Sequence, residues 1–214
     1  MSELTINEIF FSIQGESSYA GLPCVFIRLT YCNLRCVWCD TEYAFDEGRK
    51  MSLDEILHEV ERYGCRLVEV TGGEPLAQDG VHALMTMLCD RGYEVLLETS
   101  GSISIAAVDS RVRRILDIKC PGSGMAKHNV WENIECLKPT DEVKFVVSNK
   151  EDFDWAAEVI RRYRLESRCP VLISPVFGDV QPVDVAQWIM ESKLNVRLQM
   201  QLHKYIWEPE TRGV

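Results

Sequence analysis

Short apolar runs recur along the chain and alternate with longer amphipathic segments. The runs are often β-branched, which predicts β-strands; they lie at 25–29, 67–71, 94–98, 114–118, 142–147, 170–174 and 195–201. Segments with helical periodicity lie at 53–63, 81–91, 151–164 and 183–192. A capping box at Ser52 precedes the first predicted helix, and Pro182, a good first-turn residue, precedes the last.

This alternation of strands and helices predicts an α/β fold with a parallel sheet and the helices outside it. A complete eight-fold barrel typically takes about 250 residues, and this chain has 214 residues and too few helices. We therefore expect an incomplete, partial TIM-like barrel with several crossover helices reduced or missing. Residues 119–141 predict at most a short helix around 130–136.

The chain is predicted to form a single domain, 1–214. Within it we expect an N-terminal β excursion in 1–23, formed by Leu4–Gly15. The partial barrel would span 24–201, and a C-terminal tail that caps the substrate would span 202–214.

The composition argues against a nucleic-acid-binding, membrane-spanning or exported protein. The net charge of −10 and the pI of about 5.0 argue against sequence-independent binding of nucleic acid, which depends on Lys and Arg meeting phosphates. No apolar run approaches the roughly 20 residues of a membrane span, and the N-terminus lacks the features of a signal peptide. Nine cysteines in an unexported chain predict reduced thiols and the cytoplasm.

Three of these cysteines, Cys32, Cys36 and Cys39, form a CxxxCxxC loop directly after the strand at 25–29. Closed structural zinc and iron–sulfur sites take four protein ligands, so three thiolates on a four-iron cluster would leave one iron open. Half of a zinc site and ordinary core cysteines remain alternatives. The other cysteines are predicted to be buried apolar residues: Cys24, Cys65, Cys89, Cys120, Cys136 and Cys169.

A second motif, Thr71-Gly72-Gly73-Glu74-Pro75, follows the strand at 67–71. Together with the CxxxCxxC loop, it resembles the signature of the radical S-adenosylmethionine (SAM) superfamily. The resemblance implies a 4Fe–4S cluster on the three cysteines and SAM at the open iron. It also implies that the GGEP segment holds the SAM amino group.

A finer resemblance, to the 7-carboxy-7-deazaguanine synthase family, covers nearly the whole chain. The matching segments are Ser12-Ile13-Gln14-Gly15-Glu16, Cys39-Asp40-Thr41, Glu98-Thr99-Ser100-Gly101, Asp117-Ile118-Lys119 and Gln201-Leu202-His203-Lys204. The family contracts the ring of 6-carboxy-5,6,7,8-tetrahydropterin through radical chemistry started by SAM cleavage. It releases ammonia and makes 7-carboxy-7-deazaguanine for 7-deazapurine and queuosine biosynthesis. Ser17 and Tyr31 depart from the family pattern, which usually has glycine at both positions.

The resemblance also implies roles for individual residues, none of them a catalytic side chain. SAM contacts are expected from Trp38, Cys39, Asp40, Gly73, Glu74, Gly101, Asp117, Ile118, Lys119, Ser174, Pro175, Val176 and Phe177. Substrate contacts are expected from Ile13, Gln14, Gly15, Glu16, Arg28, Thr99, His203 and Val214. Thr41 is expected to bind a Mg²⁺ ion that also touches the substrate, a plausible site because Mg²⁺ takes oxygen ligands and keeps several waters.

Several of these residues also have ordinary structural explanations. Arg28 stands in an otherwise apolar strand, where a solvated or ion-paired side chain is the alternative to a bidentate contact with a substrate carboxylate. A threonine such as Thr41 is commonly a turn or capping residue. Gln14 and Glu16 suit the edge of a pterin ring, and a surface loop is the alternative.

Two other functions remain open at this point. An activase that makes a glycyl radical on a partner protein would have the same cysteine loop but no need for Arg28, Thr41 or the QxHK segment. A non-enzymatic iron–sulfur or zinc module would have four protein ligands and no GGEP motif. For the synthase we expect a reductase or flavodoxin-type electron donor and a homodimer.

Overall fold

The computed structural model of the chain describes residues 3–214. Within this range the strands are β1 (Glu3–Ile13), β2 (Pro23–Leu29), β3 (Arg49–Ser52), β4 (Leu67–Gly72), β5 (Glu94–Thr99), β6 (Arg113–Asp117), β7 (Glu142–Val147), β8 (Val171–Pro175) and β9 (Arg197–Leu198). The α-helices are α1 (Leu53–Glu61), α2 (Val81–Asp90), α3 (Lys150–Tyr163), α4 (Pro182–Ser192) and α5 (His203–Ile206).

All the strands belong to one sheet, in the order β3-β1-β2-β4-β5-β6-β7-β8-β9. Strand β1 is antiparallel to β2 and β3, and every pairing from β2 to β9 is parallel. No pairing among residues 3–214 joins β3 to β9, so the sheet stays open. The crossovers on either side of β6 carry only turns and short 3-10 helices. The prediction of a partial barrel with reduced crossover helices is confirmed.

The predicted strands and helices are present, with differences at the edges of the sheet. Strand β1 covers most of the predicted excursion, and the helix predicted around 130–136 is a 3-10 helix, Trp131–Cys136. The strand predicted at 195–201 is reduced to the two residues of β9. Strand β3 was not predicted, because its sequence Arg-Lys-Met-Ser is short and polar, as edge strands often are.

The two faces of the sheet build two separate cores, because side chains alternate along each strand. In β2, Val25, Ile27 and Leu29 belong to the large core under the helices. Their neighbours point into the barrel and join a small inner core made of Cys24, Phe26, Leu67, Leu96 and Ile115.

Charged residues follow directly above this inner apolar core. They alternate with residues of the helix-side core, so they too point into the barrel; they are Arg28, Glu69, Glu98, Asp117 and Lys144. The interior of the barrel is therefore apolar at the amino ends of the strands and strongly charged towards their carboxyl ends. That polar end is where open α/β sheets bind ligands.

Across residues 3–214, no helix is both long and apolar enough to cross a membrane.

Candidate active site

The cysteine loop begins three residues after β2, at the carboxyl edge of the sheet. Cys32 is buried, whereas Cys36 and Cys39 are partly exposed, and all three are free thiols. Burial raises the pKa of the Cys32 and Cys36 thiols, and each is raised further by the other cysteines of the loop. The three sulfurs therefore share one small region and would repel one another as thiolates unless a cation or metal cluster compensated them.

Among the described residues, no three His, Cys, Asp or Glu side chains, the three cysteines included, lie close enough together to hold a metal ion. The chemistry of the loop nevertheless fits an iron–sulfur cluster, since thiolates are its usual protein ligands. The nearby Lys119 ammonium partly opposes the rise in the pKa of Cys36 that burial causes.

The glycines of the second motif allow it to pack tightly against the cysteine loop. Gly72 has φ +150°, a conformation open to glycine, and its amide neighbour Gly73 donates to Leu29 O at 3.2 Å. A Cβ on Gly73 would lie 2.7 Å from Cys32 Cβ. Only glycine at this position lets the two loops approach so closely.

The side chain of Glu74 ties the ends of β4 and β5 together. Its side chain is 0% exposed. Its oxygens accept hydrogen bonds from Leu76 N at 3.0 Å, Thr99 Oγ1 at 2.9 Å and Ser100 N at 2.8 Å. Both oxygens are thus held by protein donors, and Thr99 faces Glu74. The expected contacts of Glu74 with SAM and of Thr99 with the substrate stay predictions.

Asp117 and Lys119 follow β6 beside the cysteine loop. Lys119 Nζ donates to Asp117 Oδ2 at 2.9 Å. Although burial opposes it, the carboxylate of Asp117 and the Cys36 thiol hold the pKa of Lys119 above its usual value. Asp117 Oδ1 is buried and has no hydrogen-bond partner among the described residues. Buried carboxylate oxygens normally accept a hydrogen bond, so this oxygen is suited to accept one from a bound ligand.

Arg28 is an ion-paired residue on the inner face of β2. Its Nε donates to Glu8 Oε1 at 2.8 Å, and Tyr43 Oη donates to the same oxygen at 3.0 Å. Its side chain is 16% exposed. The ion pair that the sequence left as an alternative is therefore present, and the expected contact of Arg28 with the substrate stays a prediction. Glu8, on the antiparallel neighbour β1, was not predicted as the partner because its strand is not part of the parallel barrel.

Four charged side chains form what we call the interior charge cluster: Glu16, Glu69, Glu98 and Lys144. Lys144 Nζ donates to Glu16 Oε2 at 2.9 Å and to Glu98 Oε1. Burial, followed by the charges of Glu98 and Glu16, raises the pKa of Glu69 well above its usual value. The sequence carried a signal for this cluster, since Glu69, Glu98 and Lys144 each interrupt an apolar strand as Arg28 does.

The N-terminal segment joins this cluster from above. Gln14 is buried, donates through Nε2 to Glu69 Oε2 at 2.5 Å and accepts from Glu16 N at 3.0 Å. Gln14 and Glu16 thus lie at the mouth of the barrel, and the alternative of a surface loop is excluded. Ile13 ends β1 just before them and is partly exposed.

The C-terminal tail lies across the same mouth. Lys204 Nζ donates to Asp40 Oδ2 at 2.7 Å, and Gln201 Nε2 donates to Glu16 Oε1 at 3.1 Å. Leu202 N donates to Gly15 O at 2.9 Å, which sets His203 against Gly15. Burial lowers the pKa of His203.

The last residues of the tail lie beside Glu8 and Tyr43, the two residues that hold Arg28 in place. Arg212 stacks on Tyr43 at 3.8 Å and pairs with Glu47 at 2.9 Å. A Cβ on Gly213 would lie 4.0 Å from Glu8 Oε2. Val214 therefore follows directly at the Arg28 end of the barrel.

The remaining predicted SAM residues are spread around the same edge. Ile118 is buried and donates its amide to Lys144 O at 2.9 Å. Gly101 has φ +70°, the left-handed conformation that favours glycine. Trp38 is partly exposed in the cysteine loop.

The turn predicted at Ser174–Phe177 ends β8. Ser174, Pro175 and Val176 are buried, and Phe177 is 40% exposed and meets Tyr205 edge-on at 5.8 Å. A cavity of about 240 Å³ lies between this turn and the C-terminal tail. The turn therefore lies near the mouth of the barrel, where it contacts the C-terminal tail.

Two residues that depart from the family pattern adopt the left-handed conformation that favours glycine. Ser17 has φ +62° and Tyr31 has φ +81°. Tyr31 O accepts the amide of Glu74 at 2.9 Å, so the strained residue also fixes the second motif. The loop shape is kept at the cost of backbone strain.

Thr41 precedes a 3-10 helix, Glu42–Ala44, but its hydroxyl makes no capping hydrogen bond. Thr41 Oγ1 lies 3.8 Å from Cys39 Sγ. Thr41 O accepts the amide of Ala44 at 2.9 Å, so the threonine forms part of a turn. Its hydroxyl caps no helix and lies beside the cysteine loop, and its role in binding Mg²⁺ stays a prediction.

Comparison with known proteins places this arrangement in a family. A model of the radical SAM superfamily matches residues 26–178. A curated relative from Koribacter versatilis (strain Ellin345), named 7-carboxy-7-deazaguanine synthase, is 48% identical over 99% of this chain and 100% of its own length. Another of the same name, from Chlorobaculum tepidum, is 47% identical over 99% of this chain and 97% of its own.

The fold agrees with a solved structure. The crystal structure of QueE from Escherichia coli matches with a TM-score of 0.77 at 24% identity, covering 94% of this chain and 95% of that one. Because both sequence comparisons span most of the chain, it belongs to the radical SAM superfamily and, within it, to the 7-carboxy-7-deazaguanine synthase family.

Proposed function

We propose that this protein is a radical SAM lyase that converts 6-carboxy-5,6,7,8-tetrahydropterin to 7-carboxy-7-deazaguanine, with release of ammonia, in 7-deazapurine and queuosine biosynthesis. The observation that carries the proposal is the meeting, at one mouth of the barrel, of the three-cysteine loop with Arg28 and the interior charge cluster. Relatives named for this activity match over the full chain.

Cys32, Cys36 and Cys39 would hold the 4Fe–4S cluster. The free buried oxygen of Asp117 and the cation of Lys119, both beside this loop, suit the hydroxyl and carboxylate groups of SAM. When bound, the cluster and SAM supply a one-electron cleavage that starts the radical chemistry. The protein's part is to position the substrate and exclude water, which the tail helps by lying across the mouth.

The substrate would lie inside the barrel with its carboxylate on Arg28. The terminal nitrogens of this guanidinium donate to no other side chain in residues 3–214, so a bidentate contact is open to them. Gln14, Glu16 and His203 surround the same space. Ile13, Gly15, Thr99 and Val214 complete the proposed substrate set.

The remaining SAM contacts are proposed from the loops around the cluster. They are Trp38, Cys39, Asp40, Gly73, Glu74, Gly101, Ile118 and the turn Ser174, Pro175, Val176 and Phe177.

Thr41 would bind Mg²⁺ through its free hydroxyl, next to the cysteine loop. A single protein oxygen suits an ion that keeps several waters and takes substrate oxygens as ligands. We further propose a cytoplasmic homodimer served by a reductase or flavodoxin-type electron donor. The cytoplasm is supported by the nine cysteines, all of them free thiols.

Anaerobic reconstitution with iron and sulfide, followed by incubation with SAM, reductant and the carboxypterin, tests the activity. Mass spectrometry should show 7-carboxy-7-deazaguanine formed only when all components are present. Cys36→Ala should lose both the cluster absorbance and the product, whereas Cys65→Ala, a change outside the loop, should retain them. A Cys36→Ala protein that still cleaves SAM would show that the cluster assignment is wrong.

A further inference from the structure

Glu98 offers the barrel interior a carboxylate oxygen that no protein group holds. Its side chain lies on the inner face of β5 and remains 26% exposed. Oε1 accepts from Lys144, but no residue within 3–214 donates to Oε2. The free oxygen is therefore an acceptor on the wall of the proposed substrate space.

Lys144 is the residue that fixes this carboxylate. It is 5% exposed, and its Nζ contacts Glu16 Oε2 at 2.9 Å, Glu98 Oε1, and Asp117 Oδ2 at 3.7 Å. An ammonium has three N–H donors and no acceptor, and two of those of Lys144 donate to Glu16 and Glu98. The Asp117 carboxylate is an ion-pair partner beyond hydrogen-bond distance. Lys144 therefore acts by holding Glu98 and Glu16 in place.

The charge balance of the interior favours a ligand rich in N–H donors. Two carboxylates, those of Glu16 and Glu98, pair with the one ammonium of Lys144, and Glu69 lies beside them. Burial raises the pKa of Glu98 and that of Glu69, and the charge of Glu16 raises each of them further. A ligand that brings N–H groups would relieve this excess of negative charge without a second protein cation.

The position of Glu98 relative to Arg28 indicates which end of the ligand it meets. Arg28 pairs with Thr71 and Val70 with Leu97, so the next residue of the same register sets Glu98 level with Arg28. The two residues stand on β2 and β5 with β4 between them, about 10 Å apart at the spacing of neighbouring strands. This separation would suit the two ends of an elongated, two-ring ligand.

We propose that Glu98 reads the aminopyrimidinone edge of the substrate, accepting hydrogen bonds from its exocyclic amine and ring N–H, with Lys144 as the positioning residue. The inference rests on the proposed function. A carboxypterin carries its acid on one ring and this cyclic guanidine edge on the other. With the acid on Arg28, the donor edge points towards Glu98.

The direct test compares two ligands in anaerobic binding measurements with cluster-loaded, SAM-bound enzyme. One ligand is the carboxypterin, and the other is its 2-oxo analogue, in which oxygen replaces the exocyclic amine. The wild-type protein should bind the amine form about 10- to 100-fold more tightly, because the oxo group turns a charged hydrogen bond into a repulsive contact. Equal binding of the two ligands by the wild type would overturn the proposal without any variant.

Glu98→Gln should weaken binding of the carboxypterin about 10- to 100-fold and reduce or reverse the discrimination, since the amide can donate to the 2-oxo group. SAM binding and cluster content should stay as in the wild type. Glu94→Gln, on the same strand but at its opposite end, should leave both ligands unaffected. A folded Glu98→Gln protein with wild-type discrimination would refute the role of Glu98.

The positioning role of Lys144 is tested by the ratio of the two ligand affinities, which a purely structural role would leave unchanged. Lys144→Met should lower the ratio of the two affinities, whereas Lys144→Arg, which keeps the charge, should retain most of it. A Lys144→Met protein that is less stable but discriminates normally would limit Lys144 to stability. Failure of the wild type to bind or convert the carboxypterin would overturn the proposed function itself, which separates the two results.

Discussion

Arg28 is held by Glu8 across an antiparallel strand pair, with Nε and Oε1 2.8 Å apart. Because the contact uses only Nε, it orients the guanidinium and leaves its two terminal nitrogens for a planar anion. Glu8 is thus an orienting partner of Arg28 and does not occupy the fork that a carboxylate would bind.

Arg28→Ala should weaken binding of the carboxypterin about 10- to 150-fold, since charge-assisted hydrogen bonds contribute about 1.5–3 kcal/mol. Arg28→Lys should recover only part of this loss, because a lysine cannot form the bidentate contact. Equilibrium binding under anaerobic conditions measures the change. SAM affinity should stay the same, and an unaltered substrate Kd in a folded Arg28→Ala protein would contradict the assignment.

Thr41 should couple Mg²⁺ and substrate. If both share the ion, each tightens the binding of the other by the same factor, as linkage requires. Thr41→Ala should remove most of this coupling, and Thr41→Ser, which keeps the hydroxyl, should retain it. Titrating the substrate with and without a chelator measures the factor, and substrate binding indifferent to Mg²⁺ in the wild type would rule the metal role out.

Glu69 should make the protein less stable as pH rises. Its pKa is raised in the folded state by burial, Glu98 and Glu16, with Lys144 opposing. The folded protein therefore keeps a proton that the unfolded chain loses above about pH 4.5, and stability falls as pH rises from there through the raised pKa. Each unit of elevation corresponds to about 1.4 kcal/mol.

Glu69→Gln cannot ionise, so its thermal stability should depend less on pH between 5 and 8.5. Relative to the wild type, the variant should gain about 2–4 °C in Tm at pH 8.5 for each kcal/mol recovered. Glu59→Gln, a surface change on α1, serves as the control. Parallel curves for the wild type and Glu69→Gln would show that Glu69 is not the titrating group.

Tyr31 is strained and half exposed, with φ +81° and 51% exposure. Tyr31→Val should destabilise the protein by about 1–2 kcal/mol relative to Tyr31→Gly, because a β-branched residue suits the left-handed conformation least. Chemical denaturation measures the difference. Equal stability of the two variants would mean that the loop relaxes and that Tyr31 stores no strain.

The parallel strands were predictable because each is an apolar run buried on one or both faces, and the cysteine loop followed from its spacing. Strands β3 and β9 were not, since a short polar edge strand leaves no periodic pattern. Glu8 and Lys144 escaped notice for another reason. Their meaning depends on partners distant in sequence, and a single charged residue in an apolar strand does not say which partner it meets.

The contact of His203 with Gly15 joins segments that lie near opposite ends of the chain. At about 5–20 residues per second, synthesis of 214 residues takes roughly 10–40 s. The cysteine loop is synthesised early in that period. Lys204, whose ammonium donates to Asp40 beside Cys39, is synthesised late in it. The cysteine loop is therefore made before the tail segment that packs beside it.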